Sequence, residues 1–223
     1  MFKRKPLLKT TLKAGMTSLF VIAPTLNAVS HPHVFAEARL EISTTKSGGF
    51  DELRHVWRFD ELFSSSVVLD FDENQNLQLD PEELIKIGNV VHQSLAEFDY
   101  YTNVTLDGKD VKMSAPDAIM ADFVDNQLLL IFAMQPAGII KLEGKITAGI
   151  YDPTFYAAME FIHDSDLVVS GPAKELCKRA VVRPDVDEVL AQNQGSLTDA
   201  FYDDAENNDL TKLFATRLEL TCP

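Results

Sequence analysis

Apolar and polar residues alternate with a period of two over residues 34–42, Val-Phe-Ala-Glu-Ala-Arg-Leu-Glu-Ile. Such alternation predicts a strand with one buried face. Residues 56–59 form a second strand-like run, and residues 43–50, with Gly48-Gly49, supply a turn between the two, so the pair reads as a β-hairpin. A turn centred on residues 46–48 sets Asp60 and Glu61 close to the position opposite His33. His55 falls on the second arm and is expected to face solvent.

The period then changes. Leu84, Ile87, Val91, Leu95 and Phe98 recur at three- and four-residue spacings and predict a helix with one apolar face over residues 82–98. Pro81 suits its first turn, and Glu82 and Glu83 lie near the positive end of its dipole. A shorter helix over residues 61–69 precedes it. Strand-like runs return at residues 103–106, 109–113, 119–123, 127–134, 139–150, 155–163 and 167–169. Asp107-Gly108, Asp125-Asn126 and residues 164–166 separate them, and Asp-Gly is a strong hairpin signal. Residues 184–208 are polar and acidic, a helix or two with a loose connector, and residues 211–222 return to the body. The pattern predicts an α+β fold: a β-sandwich-like body, a helical EF-hand-like insertion at about residues 61–98, and a C-terminal helical, acidic segment. Residues 31–223 read as a single β-rich domain.

The first thirty residues follow a different logic. Lys3, Arg4, Lys5, Lys9 and Lys13 precede an apolar stretch over residues 14–26, broken by Pro24 and followed by Asn27-Ala28-Val29-Ser30. This is the three-part pattern of a cleaved export signal, with an apolar part too short for a comfortable membrane span. Cleavage is expected after Ser30, with Ala28 as the alternative, and the mature chain is expected in the periplasm. The whole chain carries 20 Lys and Arg against 34 Asp and Glu, a net charge of −14. Losing five cations with the leader makes the remainder more acidic still. Such a surface repels nucleic acid and anionic lipid, and attracts cations. Nucleic acid is thereby excluded as a partner. Cys177 and Cys222, the only cysteines, read as one disulfide in an exported protein.

Two constellations carry chemistry. His31-Pro32-His33 stands at the expected new amino terminus, and paired imidazoles suit zinc, copper or nickel. Cleavage after Ser30 would add the His31 amine and create a set resembling the histidine brace of copper oxygenases. Cleavage after Ala28 would make Val29-Ser30-His31 an amino-terminal copper or nickel chelate. Pro32 has no amide proton to give up as a ligand. The hairpin register adds Asp60 and Glu61 as candidate carboxylate ligands.

The second constellation is acidic. Read as a calcium loop, it places Asp72, Asn74 and Asn76 at positions one, three and five, the Gln78 carbonyl at seven, Asp80 at nine and Glu83 at twelve. Position six, where glycine makes the sharp turn, is Leu77. A left-handed leucine costs on the order of 1–2 kcal/mol. His92 lies on the polar flank of the long helix as a solvated residue, and His163 falls in a turn beside Asp164 and Asp166. No Gly-flanked serine elbow, phosphate-cradling glycine loop or zinc-protease helix motif is present, so no catalytic residue is assigned. No small organic substrate is expected.

His31-Pro32-His33-Val34-Phe35, Trp57-Arg58-Phe59-Asp60-Glu61-Leu62-Phe63, Asp80-Pro81-Glu82-Glu83-Leu84 and Tyr151-Asp152-Pro153-Thr154-Phe155-Tyr156 together resemble a bacterial family of exported proteins of unknown function. The resemblance covers essentially the whole mature chain. It implies a periplasmic component of an ABC-type transport system, accompanying inner-membrane permeases of the nickel/cobalt efflux type and, in one branch, zinc acquisition. That family usually has Gly where Leu77 stands. The expected function is therefore a periplasmic metal-binding accessory of a transition-metal permease, with zinc as cargo. An open site built by His31 and His33 with Asp60 or Glu61 suits an ion that must be released. The alternatives from other classes are a histidine-brace copper oxidase and a calcium-stabilised binding module.

Overall fold

The computed structural model of the protein describes residues 32–192 and 211–223. The expected leader, His31 and most of the acidic C-terminal stretch lie outside the described residues.

The alternation seen in the sequence builds β1 (Val34–Thr44), with Val34, Ala36, Ala38, Leu40 and Ile42 buried and Phe35, Glu37 and Arg39 turned outward. It pairs antiparallel with β2 (Gly49–Phe59), Ala36 opposite Phe59 and Leu40 opposite His55, with a register shift between Ser43 and Thr44. On the far side of β2 lies β6 (Gln127–Met134), and β5 (Met120–Val124) continues the sheet. Along the other side of β1 run β9 (Ala157–Glu160) and β10 (Leu167–Ser170), both parallel to it. The short β7 (Ile140–Lys141) pairs with the start of β2. A second sheet has the order β11 (Lys178–Val182), β12 (Arg217–Cys222), β8 (Gly144–Ile150), β3 (Thr102–Leu106) and β4 (Lys109–Asp110). Trp57, Leu40 and Leu53 from the first sheet and Ile146, Leu218 and Leu220 from the second belong to one buried core.

The turns explain much of this layout. Asp107 and Gly108 both have positive φ, as do Asp125 and Asn126. Left-handed residues in two-residue loops match the twist of the flanking strands. The run over residues 139–150 divides at Gly144, whose φ is +70°, so β7 and β8 join different sheets. That left-handed backbone is where a side chain is strained, and a Cβ there would also press on the Asp107 carboxylate at 2.6 Å. Cys177 and Cys222 form a disulfide across 45 residues, beside the Lys178–Thr221 pair of β11 and β12.

A helix–loop–helix interrupts the strands as expected. Its helices are α1 (Glu61–Phe71) and α2 (Pro81–Leu95), followed by the 3₁₀ segment Ala96–Tyr101. In α2, Ile87, Gly88 and Leu95 are buried while Leu84 and Val91 are partly so, which reproduces the apolar face read from the spacing. At Gly88 the helix backbone meets β5 so closely that a Cβ would lie 2.1 Å from the Ile119 carbonyl oxygen. Ser64 ties α1 to the sheet, its hydroxyl accepting from the Leu128 amide at 2.9 Å. Further on, α3 (Val186–Gln192) and the short helix Thr211–Phe214 occupy the C-terminal part. Among the described residues, no helix is long and apolar enough to cross a membrane.

Candidate functional site

His33 stands immediately before β1 and is exposed. Its amide and that of Val34 donate to the Tyr156 carbonyl at 2.9 and 3.2 Å, and its ring lies 5.3 Å from the Tyr156 ring. The segment that presents Tyr156 is organised from within by Asp152. This carboxylate is buried, accepting from the Thr154 amide at 2.7 Å, the Thr154 hydroxyl at 2.6 Å and the Ala157 amide at 2.8 Å. The Tyr101 hydroxyl also bonds to it. Burial first, then the neighbouring Asp152 charge and that hydrogen bond, push the Tyr101 phenol well above its ordinary range. Asp152 is thus a turn organiser that holds the start of β1 in place.

Asp60 caps α1. Its Oδ1 accepts from the Phe63 amide at 2.9 Å and its Oδ2 from the Phe35 amide at 3.2 Å, while its own amide donates to the Phe35 carbonyl at 3.0 Å. The observed register therefore sets Asp60 across from Phe35, two residues along from His33. Each oxygen has one hydrogen bond and a second lone pair, so the carboxylate keeps capacity for a cation. Glu61 follows in the exposed first turn of α1. His31, the remaining member of the expected set, lies outside the described residues. Among the described residues, no three His, Cys, Asp or Glu side chains form a group that could hold a metal.

Parallel pairing adds a neighbour that the sequence pattern did not announce. Glu160 of β9 lies beside Glu37 of β1, and both border a shallow recess of about 210 Å³ with Phe35, Arg58, Asp60 and Ile162. Only the long-range pairing of β9 with β1 brings Glu160 to this end of the sheet. No local motif marks it.

The acidic loop between α1 and α2 turns its side chains onto its own backbone. Asp72 accepts from the amides of Asn76 at 3.1 Å and Leu77 at 2.7 Å, and the Asn74 and Asn76 side chains accept from Asn76 and Gln78. Leu77 adopts φ +62°, the left-handed conformation expected of position six, and its side chain is exposed. Asp80 accepts from the Asn74 side-chain amide at 2.7 Å. Glu83 is buried, and its two oxygens accept from the Glu73 and Asp80 amides, each at 2.8 Å. In this arrangement Glu83 closes the loop and caps α2, each of its oxygens accepting one hydrogen bond.

His55 is fully buried, contrary to the expectation that it faces solvent. It shares the inward parity of Leu53, Trp57 and Phe59, which the alternation of β2 contains and the shorter run 56–59 conceals. Burial alone lowers its pKa to about 3, so the imidazole is neutral. Among the described residues, His55 Nδ1 and Trp57 Nε1 are buried without a hydrogen-bond partner. Such groups typically cost about 1–3 kcal/mol each. His92 is also more than a solvated residue: its Nε2 meets the Pro116 carbonyl at 2.8 Å. A cleft of about 1240 Å³ is lined by Met134, by Thr102, whose hydroxyl oxygen lies 3.4 Å from His55 Nε2, and by Asp99, Tyr100 and Tyr101. These three successive non-glycine residues all have positive φ, a strained path that Asp99 tolerates and the two tyrosines do not signal.

These features define a strand-dominated, two-sheet protein with a helix–loop–helix set beside an exposed histidine segment. The chain belongs to the family described as "Protein of unknown function (DUF1007)", which matches residues 16–222. It is also similar to an "Uncharacterized 15.5 kDa protein in trpE 3'region" of Spirochaeta aurantia, 28% identical over 97 residues, covering 43% of this chain and 68% of that protein.

Proposed function

We propose that the protein is a periplasmic metal-binding accessory of a transition-metal transport system, with zinc as its cargo and an inner-membrane permease as its partner. The observation that carries this reading is the pairing of Phe35 with Asp60, which sets a carboxylate near the start of β1, where His33 is exposed. His31 and His33 supply imidazoles, and Asp60 or Glu61 supplies an oxygen, leaving a position open for transfer. The exposed end of a sheet suits an ion that must be handed on. A disulfide between Cys177 and Cys222 is compatible with export.

Calcium has its own place in this reading. The helix–loop–helix is EF-hand-derived, and Asp72, Asn74, Asn76, Gln78, Asp80 and Glu83 form a weakened calcium site that steadies the insertion. The left-handed backbone at Leu77 supports this assignment.

Calorimetry with zinc on the processed protein tests the transport reading. Replacing His31 and His33 together by alanine should abolish zinc binding while leaving the fold intact, and cells carrying that variant should grow poorly when zinc is scarce. Unchanged affinity and unchanged growth would overturn both site and role.

A further inference from the structure

Soft donors gather behind the wall of the large cleft, away from the terminal histidines. His55 is stacked on Phe132, with ring centroids 4.4 Å apart, and stands edge-on to Trp57. Its Nδ1 is buried and without a partner among the described residues. Its Nε2 lies 3.4 Å from the Thr102 hydroxyl oxygen, and the Met134 sulfur lies 3.4 Å from that same oxygen. The hydroxyl has one proton, and its shortest of these contacts, 3.0 Å, is with the Tyr100 carbonyl. It therefore cannot donate to the imidazole and the thioether as well. A ring nitrogen and a sulfur thus flank one oxygen in a sealed layer, neither held by a short hydrogen bond there.

Met113 carries a second thioether on the adjoining segment. It forms an antiparallel bridge with Pro136, two residues beyond Met134, which makes Met113 and Met134 diagonal neighbours. Both line the cleft, and diagonal neighbours lie within reach of long side chains. Thioether and imidazole donors favour Cu(I) over harder divalent ions.

We propose that His55 and Met134, with Met113 as third donor, form a binding site for Cu(I) reached through the cleft. Thr102 lies between the two principal donors and moves aside as the ion enters. This site is independent of the zinc reading, because it shares no residue with the terminal segment and selects a different ion.

The test uses the processed protein carrying His31→Ala and His33→Ala, so that these two imidazoles cannot contribute. Cu(I) is supplied anaerobically as its bicinchoninate complex, and the fluorescence of Trp57, the only tryptophan, reports on the buried layer. One equivalent of Cu(I) should leave the competitor, with quenching of Trp57. Met134→Leu should weaken binding at least tenfold, and Met113→Leu by less. Zinc titration of Met134→Leu, made with both terminal histidines present, should match the parent protein. If the folded protein takes no Cu(I) from the competitor, or if Met134→Leu binds it as tightly as its parent, the proposal fails. Zinc binding by the parent protein then still stands or falls separately.

Discussion

His33 precedes the first arm of a hairpin and His55 lies on the second, and their surroundings differ at every level. His33 is exposed, tied to Tyr156 through its backbone, and the Asp60 carboxylate accepts from the amide of Phe35 two residues along. His55 is sealed between Trp57, Phe132 and Thr102, with its pKa lowered to about 3 by burial. The first imidazole stands at the exposed start of β1, against the Tyr156 ring. The second contributes to packing, but the protein bears the cost of an unpartnered nitrogen. Position relative to the sheet decides the difference, since residue type is the same.

Acidification should break this comparison most forcefully. The unfolded chain takes up a proton at His55 near pH 6.5, whereas the folded protein without metal resists it until about pH 3. Between those values the unfolded state binds the extra proton, so stability present above pH 6.5 is lost as pH falls. The loss is on the order of 1.4 kcal/mol per pH unit. Urea unfolding between pH 7.5 and 4.5 should show a shallower decline in His55→Leu than in the parent. Equal slopes would contradict the buried, neutral assignment.

A smaller effect is expected at Leu77, where left-handed strain is local and exposed. Leu77→Gly should stabilise the protein by about 1 kcal/mol and increase the rise in melting temperature produced by calcium. Destabilisation, or a rise unaffected by calcium, would count against the loop assignment. Asp60→Ala should cost about 1 kcal/mol through the lost helix cap. Asp60→Asn should keep most of that stability yet weaken zinc binding, if Asp60 rather than Glu61 supplies the oxygen. Chemical denaturation with parallel zinc titration separates the two roles. Smallest of all, His33→Ala should change stability by no more than about 0.5 kcal/mol, measured by the same denaturation.

Much of this was legible in the sequence because it is local. The alternation through Val34–Ile42, the Asp107-Gly108 and Asp125-Asn126 turns and the spacing of Leu84, Ile87, Val91 and Leu95 are short-range patterns, and each led to the right element. The cysteine pair needed only arithmetic. What escaped was long-range or required an unusual backbone. Lys178–Val182 became a strand because it pairs with β12 beside the disulfide, and its mostly exposed residues carry no clear alternation. Parallel pairing to β1 placed Glu160 near Asp60, and no turn signal foretells such a pairing. Asp99, Tyr100 and Tyr101 enter the left-handed region without a glycine, so the long helix ends earlier than its apolar spacing suggests. His55 was readable in principle, since it shares parity with Trp57. Its inward direction became plain only with the full length of β2.

The central claim concerns what the terminal histidines hold. X-ray absorption at the zinc edge, on protein recovered after leader cleavage and loaded with one equivalent of zinc, measures it directly. The account predicts two imidazoles and an oxygen-containing remainder, with nitrogen and oxygen ligands at about 2.0–2.2 Å. A shell without imidazole, or one unchanged when His31 and His33 are both replaced by alanine, would contradict it.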